Sequence, residues 1–286
     1  MNDYLTVYQL LKKYDLRPRK GLGQNFLADE NHLRKIVAAA ELSADEVVLE
    51  IGPGLGALSR PLAQTVRRLV AVELDPTMVQ ILQAELAALA NLHLVQADIL
   101  DLDPAQTLAA HVPDFTPGQP YQVVANLPYY ITSAIIQHLL EAAHPPQTIT
   151  ITVQKEVAQR IVAQPGQLSL LAVSVQFYGR PRLCHLIPAG VFVPPPKVDS
   201  AVLRIDRAPQ LDLTEVDPPR FFRVVKAGFS QKRKQLKNSL AGGLRVSTAQ
   251  ATAWLVTAGI EPTRRAQTLT LAEWGALANQ VYGGSL

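Results

Sequence analysis

Between Val47 and Val153, short apolar runs alternate with stretches of helical period, and this alternation limits the possible folds more than any other feature of the sequence. The runs at 47–51, 69–74, 92–96, 121–125 and 148–153 are dominated by β-branched and other apolar residues, as strands buried on both faces must be. Residues 58–66, 76–89 and 133–141 carry apolar side chains at helical spacing, and Pro76 falls at a first-turn position that suits its fixed φ. The Pro-rich stretch 103–120 reads as a loop. Strands joined through helices require right-handed crossovers, so they lie parallel with helices on both sheet faces. The expectation is an α/β, doubly wound, Rossmann-like core whose ligands bind beyond the carboxyl ends of the strands.

The flanks add to this core. Residues 4–14 and 29–40 read as helices, the second capped by Asp29, around the glycine-containing loop from Lys20 to Leu27. This makes residues 1–45 an N-terminal extension. Downstream, 155–163 and 168–177 read as helices, and 183–187 and 198–205 as a closing pair of strands joined by the stiff segment Phe192-Val193-Pro194-Pro195-Pro196-Lys197. Residues 208–217 have no periodicity, which places a boundary between a catalytic domain, 1–207, and a small all-α domain, 208–286. At 48% hydrophobic over 286 residues, the chain can bury a substantial core. A single cysteine, Cys184, excludes an internal disulfide framework and suits a reducing compartment. No apolar run approaches the roughly 20 residues that span a bilayer, and Asp3, Lys12 and Lys13 interrupt the N-terminus. A soluble, cytoplasmic protein is expected.

Charge is unevenly spread. From Arg220 to Ile260 there are eight basic residues and no acidic one, so the net +3 of the chain becomes −5 (19 basic, 24 acidic) once this segment is set aside. Such a block suits a polyanion, and equally a solvated helix face. Phe221, Val225, Phe229, Leu236 and Leu240 recur at helical spacing and would face a core, leaving Lys232, Arg233, Lys234 and Lys237 outward.

The chemistry concentrates at strand ends. Glu50-Ile51-Gly52-Pro53-Gly54-Leu55-Gly56 closes the first strand, and its glycines allow a tight turn and close approach of backbone to a ligand. Glu73, about twenty residues on, ends the second strand where a carboxylate can accept from ribose hydroxyls. Asp98, after the third, can accept from an adenine amine. Each acid alone is as well explained as a turn residue; together, on consecutive strand ends, they describe a nucleoside pocket.

Asn126-Leu127-Pro128-Tyr129 follows the fourth strand. An aromatic amine is a poor nucleophile because its lone pair is delocalised into the ring. The Asn126 amide oxygen and the Leu127 carbonyl can accept the two N–H bonds of such an amine and turn its lone pair toward an electrophile. Pro128 fixes the geometry, and Tyr129 offers a ring face for a base, typically ~1–3 kcal/mol. A plain Asn-capped turn with a buried Tyr is the alternative. Gly52-x-Gly54-x-x-Ala57 also meets the relaxed dinucleotide fingerprint, but no His, Tyr or Lys constellation for hydride chemistry accompanies it. A nucleoside cofactor with a transferable methyl fits better.

These motifs resemble, in order, those of the ribosomal RNA adenine dimethyltransferases: Gly23-Gln24-Asn25-Phe26-Leu27, Glu50 to Gly54, Val72-Glu73-Leu74-Asp75, Asn126 to Tyr129, Gln154-Lys155-Glu156-Val157, Pro194 to Ser200, and Arg233-Lys234 with Asn238-Ser239-Leu240. The resemblance runs from about Lys20 to the C-terminus. It implies an S-adenosylmethionine-dependent methyltransferase core and N6,N6-dimethylation of two adjacent adenosines near the 3′ end of small-subunit rRNA, on an assembling small subunit. By the same carry-over, Asn25, Leu27, Gly52, Gly54, Glu73, Asp98 and Asn126 would line the cofactor site, and Asn126, Leu127, Pro128 and Tyr129 would hold the base. Phe192 would cover its other face, unless it is a core aromatic. Lys232, Arg233, Lys234 and Lys237 would contact RNA. No metal is expected, and the protein is expected to be a monomer. A large-subunit RNA or DNA adenine methyltransferase, or a non-catalytic assembly or transcription factor on the same fold, are the rival readings.

Overall fold

The structure is a computed structural model that describes residues 5–19, 21, 23–209, 211 and 216–283. Of the segments singled out above, residues 1–4 (Asp3 and Tyr4 among them), Lys20, Leu22, residues 210 and 212–215, and the last three residues lie outside the described residues. The described residues divide into two compact units. One runs to Ala158 and adds Arg182–Asp206; the other takes Gln159–Pro181 and the chain from Arg207 on.

The first unit opens with α1 (Val7–Lys13), closed at its N-terminus by a capping box between Thr6 and Gln9. The two-residue strand β1 (Phe26–Leu27) leads to α2 (Glu30–Ala40), where the Asp29 side chain accepts from the His32 N–H. The alternation then follows: β2 (Val47–Ile51), α3 (Ser59–Thr65), β3 (Arg68–Glu73), α4 (Pro76–Glu85) and β4 (Leu92–Gln96). Asp75 caps α4 with Pro76 in its first turn.

Next comes α5 (Pro104–His111), which corrects the loop expected over 103–120. Pro104 sits at N1 and the Asp103 side chain accepts from the Gln106 N–H, so the proline that signalled a loop is a helix start. The unit continues with β5 (Gln122–Asn126), α6 (Thr132–Leu140) and β6 (Thr148–Gln154).

Beyond α7 (Lys155–Ile161) and α8 (Leu170–Tyr178) come β7 (Gly179–Ile187), β8 (Phe192–Val193) and β9 (Ser200–Arg207). The seven-stranded sheet has the order β4-β3-β2-β5-β6-β9-β7. The pairs from β4 to β6 are parallel, and β9 runs antiparallel to β6. The strand order reverses between β2 and β5, and the crevice that opens there is where such sheets bind ligands. Strands β1 and β8 form a separate antiparallel pair, with Leu27 opposite Phe192. No periodicity could announce a pairing of two-residue strands that far apart in sequence.

The second unit is built from α8, α9 (Pro218–Phe229), α10 (Leu236–Leu244), α11 (Thr248–Thr257) and α12 (Leu271–Tyr282). Trp274, Phe177, Phe221 and Leu240 are fully buried in its core, and the Phe177 and Phe221 rings lie 4.5 Å apart. Residues 159–181, included above in the first domain, thus supply core side chains to this unit. The basic residues 232–234 occupy the turn between α9 and α10 rather than one continuous helix, while remaining exposed.

Candidate active site

The loops after β2, β3, β4 and β5 surround a cavity of about 240 Å³ at the strand-order reversal. It is lined by every residue named above for the cofactor and for the base, from Asn25 and Leu27 through Gly52, Glu73 and Asp98 to Asn126–Tyr129 and Phe192.

On the β2 side, Gly52 has φ +66°, a conformation that L side chains rarely adopt, and a Cβ built there would meet nothing within 4 Å. The backbone at Gly52 is therefore bare toward open space. Glu50, two residues earlier in β2, is 1% exposed and its Oε2 has no hydrogen-bond partner among the described residues. Burial pushes its carboxyl up to about 8; the nearby Ser59 hydroxyl works against this, and the neighbouring Glu73 adds to it. An orphaned acid and a bare glycine backbone in one cavity suit a ligand that carries a positive charge and hydrogen-bonding groups.

Glu73 anchors the adjacent loop. Its carboxylate accepts from the Gly54 N–H (3.0 Å) and the Asp75 N–H (2.9 Å), and its remaining acceptor capacity suits a diol. Burial raises its pKa, and the backbone donors at Asp75, Gly54 and Leu74 work against the rise. Asp98 caps the following turn by accepting from the Leu100 N–H at 3.0 Å, and lines the same wall.

The β5 side holds the Asn-Leu-Pro-Tyr turn. The Asn126 side-chain NH₂ donates to the Asn25 carbonyl at 3.3 Å, which leaves its amide oxygen as the group free to accept. The Pro128 carbonyl takes the Ile131 N–H and the Thr132 hydroxyl, closing the turn onto α6. Tyr129 is pinned through its phenol, 2.6 Å from the Ser200 hydroxyl at the start of β9. Burial raises the Tyr129 pKa, with the Ser200 contact opposing, so the phenol stays neutral at physiological pH. Phe192 is 2% exposed; it packs with Leu27 and Val202 in the core and also borders the cavity.

Three contributions were not assigned from sequence. Asp75, 3% exposed, holds the N-terminal loop: Gln24 donates to it at 3.1 Å and Arg19 pairs with it at 3.5 Å. Ser200 orients Tyr129, and Glu50 supplies a buried acid with an unpartnered oxygen. All three lie inside motifs quoted above, so the available signal was a polar residue next to an assigned one. Lys232, Arg233, Lys234 and Lys237 belong to the second unit. No helix among the described residues is long and apolar enough to cross a membrane.

The arrangement can hold a nucleoside along β2–β4 and present acceptors to an amine at the end of β5. Known proteins share its sequence and fold. Residues 16–281 match the family described as ribosomal RNA adenine dimethylase. The chain is 44% identical over 269 residues, covering 94% of itself and 90% of the relative, to ribosomal RNA small subunit methyltransferase A of Dehalococcoides mccartyi. It is 40% identical over 290 residues to the protein of that name from Streptococcus pneumoniae, covering 99% of each chain. In structure it is similar to the 23S rRNA methyltransferase ErmE (TM-score 0.69, 30% identity, 90% of this chain and 100% of that one). It also shares the fold of a dimethyladenosine transferase from Plasmodium falciparum (TM-score 0.70, 21% identity, 88% and 95%).

Proposed function

This chain belongs to the ribosomal RNA adenine dimethylase family, and from that premise we propose that it places two methyl groups on the N6 of each of two adjacent adenosines near the 3′ end of small-subunit rRNA. It is an rRNA adenine dimethyltransferase. The choice of small over large subunit rests on the relatives: the two named for the small subunit match at 44% and 40%, against 30% for ErmE. The observation that carries the chemistry is the orientation of Asn126, whose NH₂ is taken by Asn25 so that its oxygen faces the task of accepting.

The residues present fit S-adenosylmethionine. Glu73 would take the ribose hydroxyls, Asp98 the adenine amine, the backbone at Gly52 and the loop residues Asn25 and Leu27 the methionyl part, with Gly54 held in place by Glu73. When bound, the cofactor supplies an electrophilic methyl group. The protein's share is positioning: Asn126 and the Leu127 carbonyl grip the amine, Pro128 stiffens the grip, and Tyr129 and Phe192 flank the base. A nitrogen that has gained a methyl sheds its surplus proton to water, so no side chain need act as a base. Because the target must leave its stack, accessible or single-stranded RNA is the substrate form, encountered on an assembling small subunit in the cytoplasm, by a monomer.

The test is direct. The purified protein is given methyl-labelled S-adenosylmethionine and under-methylated small subunits, and the modified bases are mapped. Label on two neighbouring adenosines near the 3′ end is expected; label only at other positions of the small-subunit RNA, or none, would overturn the assignment.

A further inference from the structure

Six large apolar side chains are strongly exposed among the described residues, and two of them, Leu74 and Tyr130, line the cavity. Leu74 follows Glu73 on the nucleoside side. Tyr130 follows the Asn-Leu-Pro-Tyr turn and is 60% exposed. It is not part of the core: the neighbouring Tyr129 is drawn inward by Ser200, while the next residue along the turn is left at the surface.

It nevertheless lies close to the N-terminal loop. A Cβ added at Gly23 would lie 3.1 and 3.2 Å from Cδ1 and Cε1 of Tyr130, and 3.3 Å from Cβ of Pro128. Gly23 of the N-terminal loop therefore lies beside one edge of the ring, and the Asn126–Asn25 bond ties that same loop to the acceptor amide. An aromatic side chain that lies near the N-terminal loop at Cδ1 and Cε1, lines the cavity and is otherwise largely exposed can serve as a stacking platform for a base.

We propose that Tyr130 stacks on the nucleotide adjacent to the adenosine being methylated, the second member of the adjacent pair; this rests on the dimethyltransferase reading. Extruding one base strips its neighbour of a stacking partner. The Tyr130 ring replaces that partner, so the neighbour is held at the rim while the first base occupies the pocket, and their roles exchange when the second is methylated. Tyr129 and Tyr130, consecutive in sequence, thereby serve the target and its neighbour.

The experiment compares Tyr130→Ala, Tyr130→Phe and Tyr130→Trp with the unaltered protein on under-methylated small subunits, with equilibrium binding of S-adenosylhomocysteine and thermal unfolding measured on each. Stacking predicts that Tyr130→Ala raises KM by about tenfold with kcat within about twofold, while Phe and Trp keep KM near that of the unaltered protein. Cofactor-product affinity and thermal midpoint should not move, as expected for a residue 60% exposed. A KM for Tyr130→Ala equal to that of the unaltered protein overturns the stacking role, as does Tyr130→Phe behaving like Ala. Absence of methyl transfer by the unaltered protein would instead defeat the dimethyltransferase reading.

Discussion

At the scale of single residues, two side chains carry opposite demands. Asn126 must offer its oxygen, and the Asn25 carbonyl fixes which end of the amide points where. Asn126→Ala removes an acceptor on which the lone-pair direction of the amine depends. A loss of roughly 10²–10³ in single-turnover rate is expected, with the thermal midpoint unchanged; turnover near that of the unaltered protein would reject the role. Glu50 is the converse case, an acid whose burial disfavours its charge. Its folded-state pKa, about 8, lies above its value of 4.5 when exposed, so the fold retains a proton that the unfolded chain releases. The associated stability is full below pH 4.5 and is lost as pH rises toward 8. Glu50→Gln mimics the protonated acid and does not titrate. In the cofactor-free protein, its unfolding free energy should gain on that of the unaltered protein by about 3 kcal/mol between pH 5 and pH 7.5. Denaturant titration at the two pH values reads this directly, and a gap that does not change with pH would contradict it.

At the scale of elements, the sequence announced what is local and missed what is not. Strands β2 to β6 and the helices α2, α3, α4 and α6 follow from apolar period and from local signals such as the Asp29 cap and Pro76, because backbone geometry is set within a few residues; α5 escaped because Pro104, which opens it, reads as a loop signal. The strand-end residues Glu73, Asp98 and Asn126 follow from the same reasoning, since a parallel sheet puts strand ends together. The β1–β8 pair and the Tyr129–Ser200 contact, 71 residues apart, depend on tertiary closeness that no window contains. Gly243 is a further case: it lies within α10, and a Cβ there would lie 2.6 Å from Cα and Cβ of Ala227 in α9. Replacing Gly by Ala favours a helix by roughly 1 kcal/mol, whereas forcing atoms into a packed contact costs typically about 1–3 kcal/mol. The clash is with backbone that cannot swing away, so the second effect prevails. Gly243→Ala should lower the thermal midpoint of the protein; a rise would show that helix propensity governs this site.

At the scale of the whole molecule, charge and chemistry are divided between the two units: the strand-end residues lie in the first, and the basic run lies in the second. Of the eight cations between Arg220 and Ile260, among the described residues only Arg220 forms an ion pair, with Asp217. Lys232, Arg233 and Lys234 are exposed in the turn between α9 and α10. A cluster without counter-charges at an acid-free segment favours phosphate contact over a merely solvated face, because each contact made would release a condensed counterion. If all three bind phosphates, replacing them together with Ala should reduce the slope of log K against log salt by about 2 to 3, and raise KM. The first unit keeps its own residues, so kcat at saturating substrate should stay close to that of the unaltered protein. Binding titrations across a range of salt concentrations distinguish the cases, since a solvated face predicts an unchanged slope, whereas a loss of kcat with constant slope would mean that the turn serves the chemistry rather than the grip on RNA.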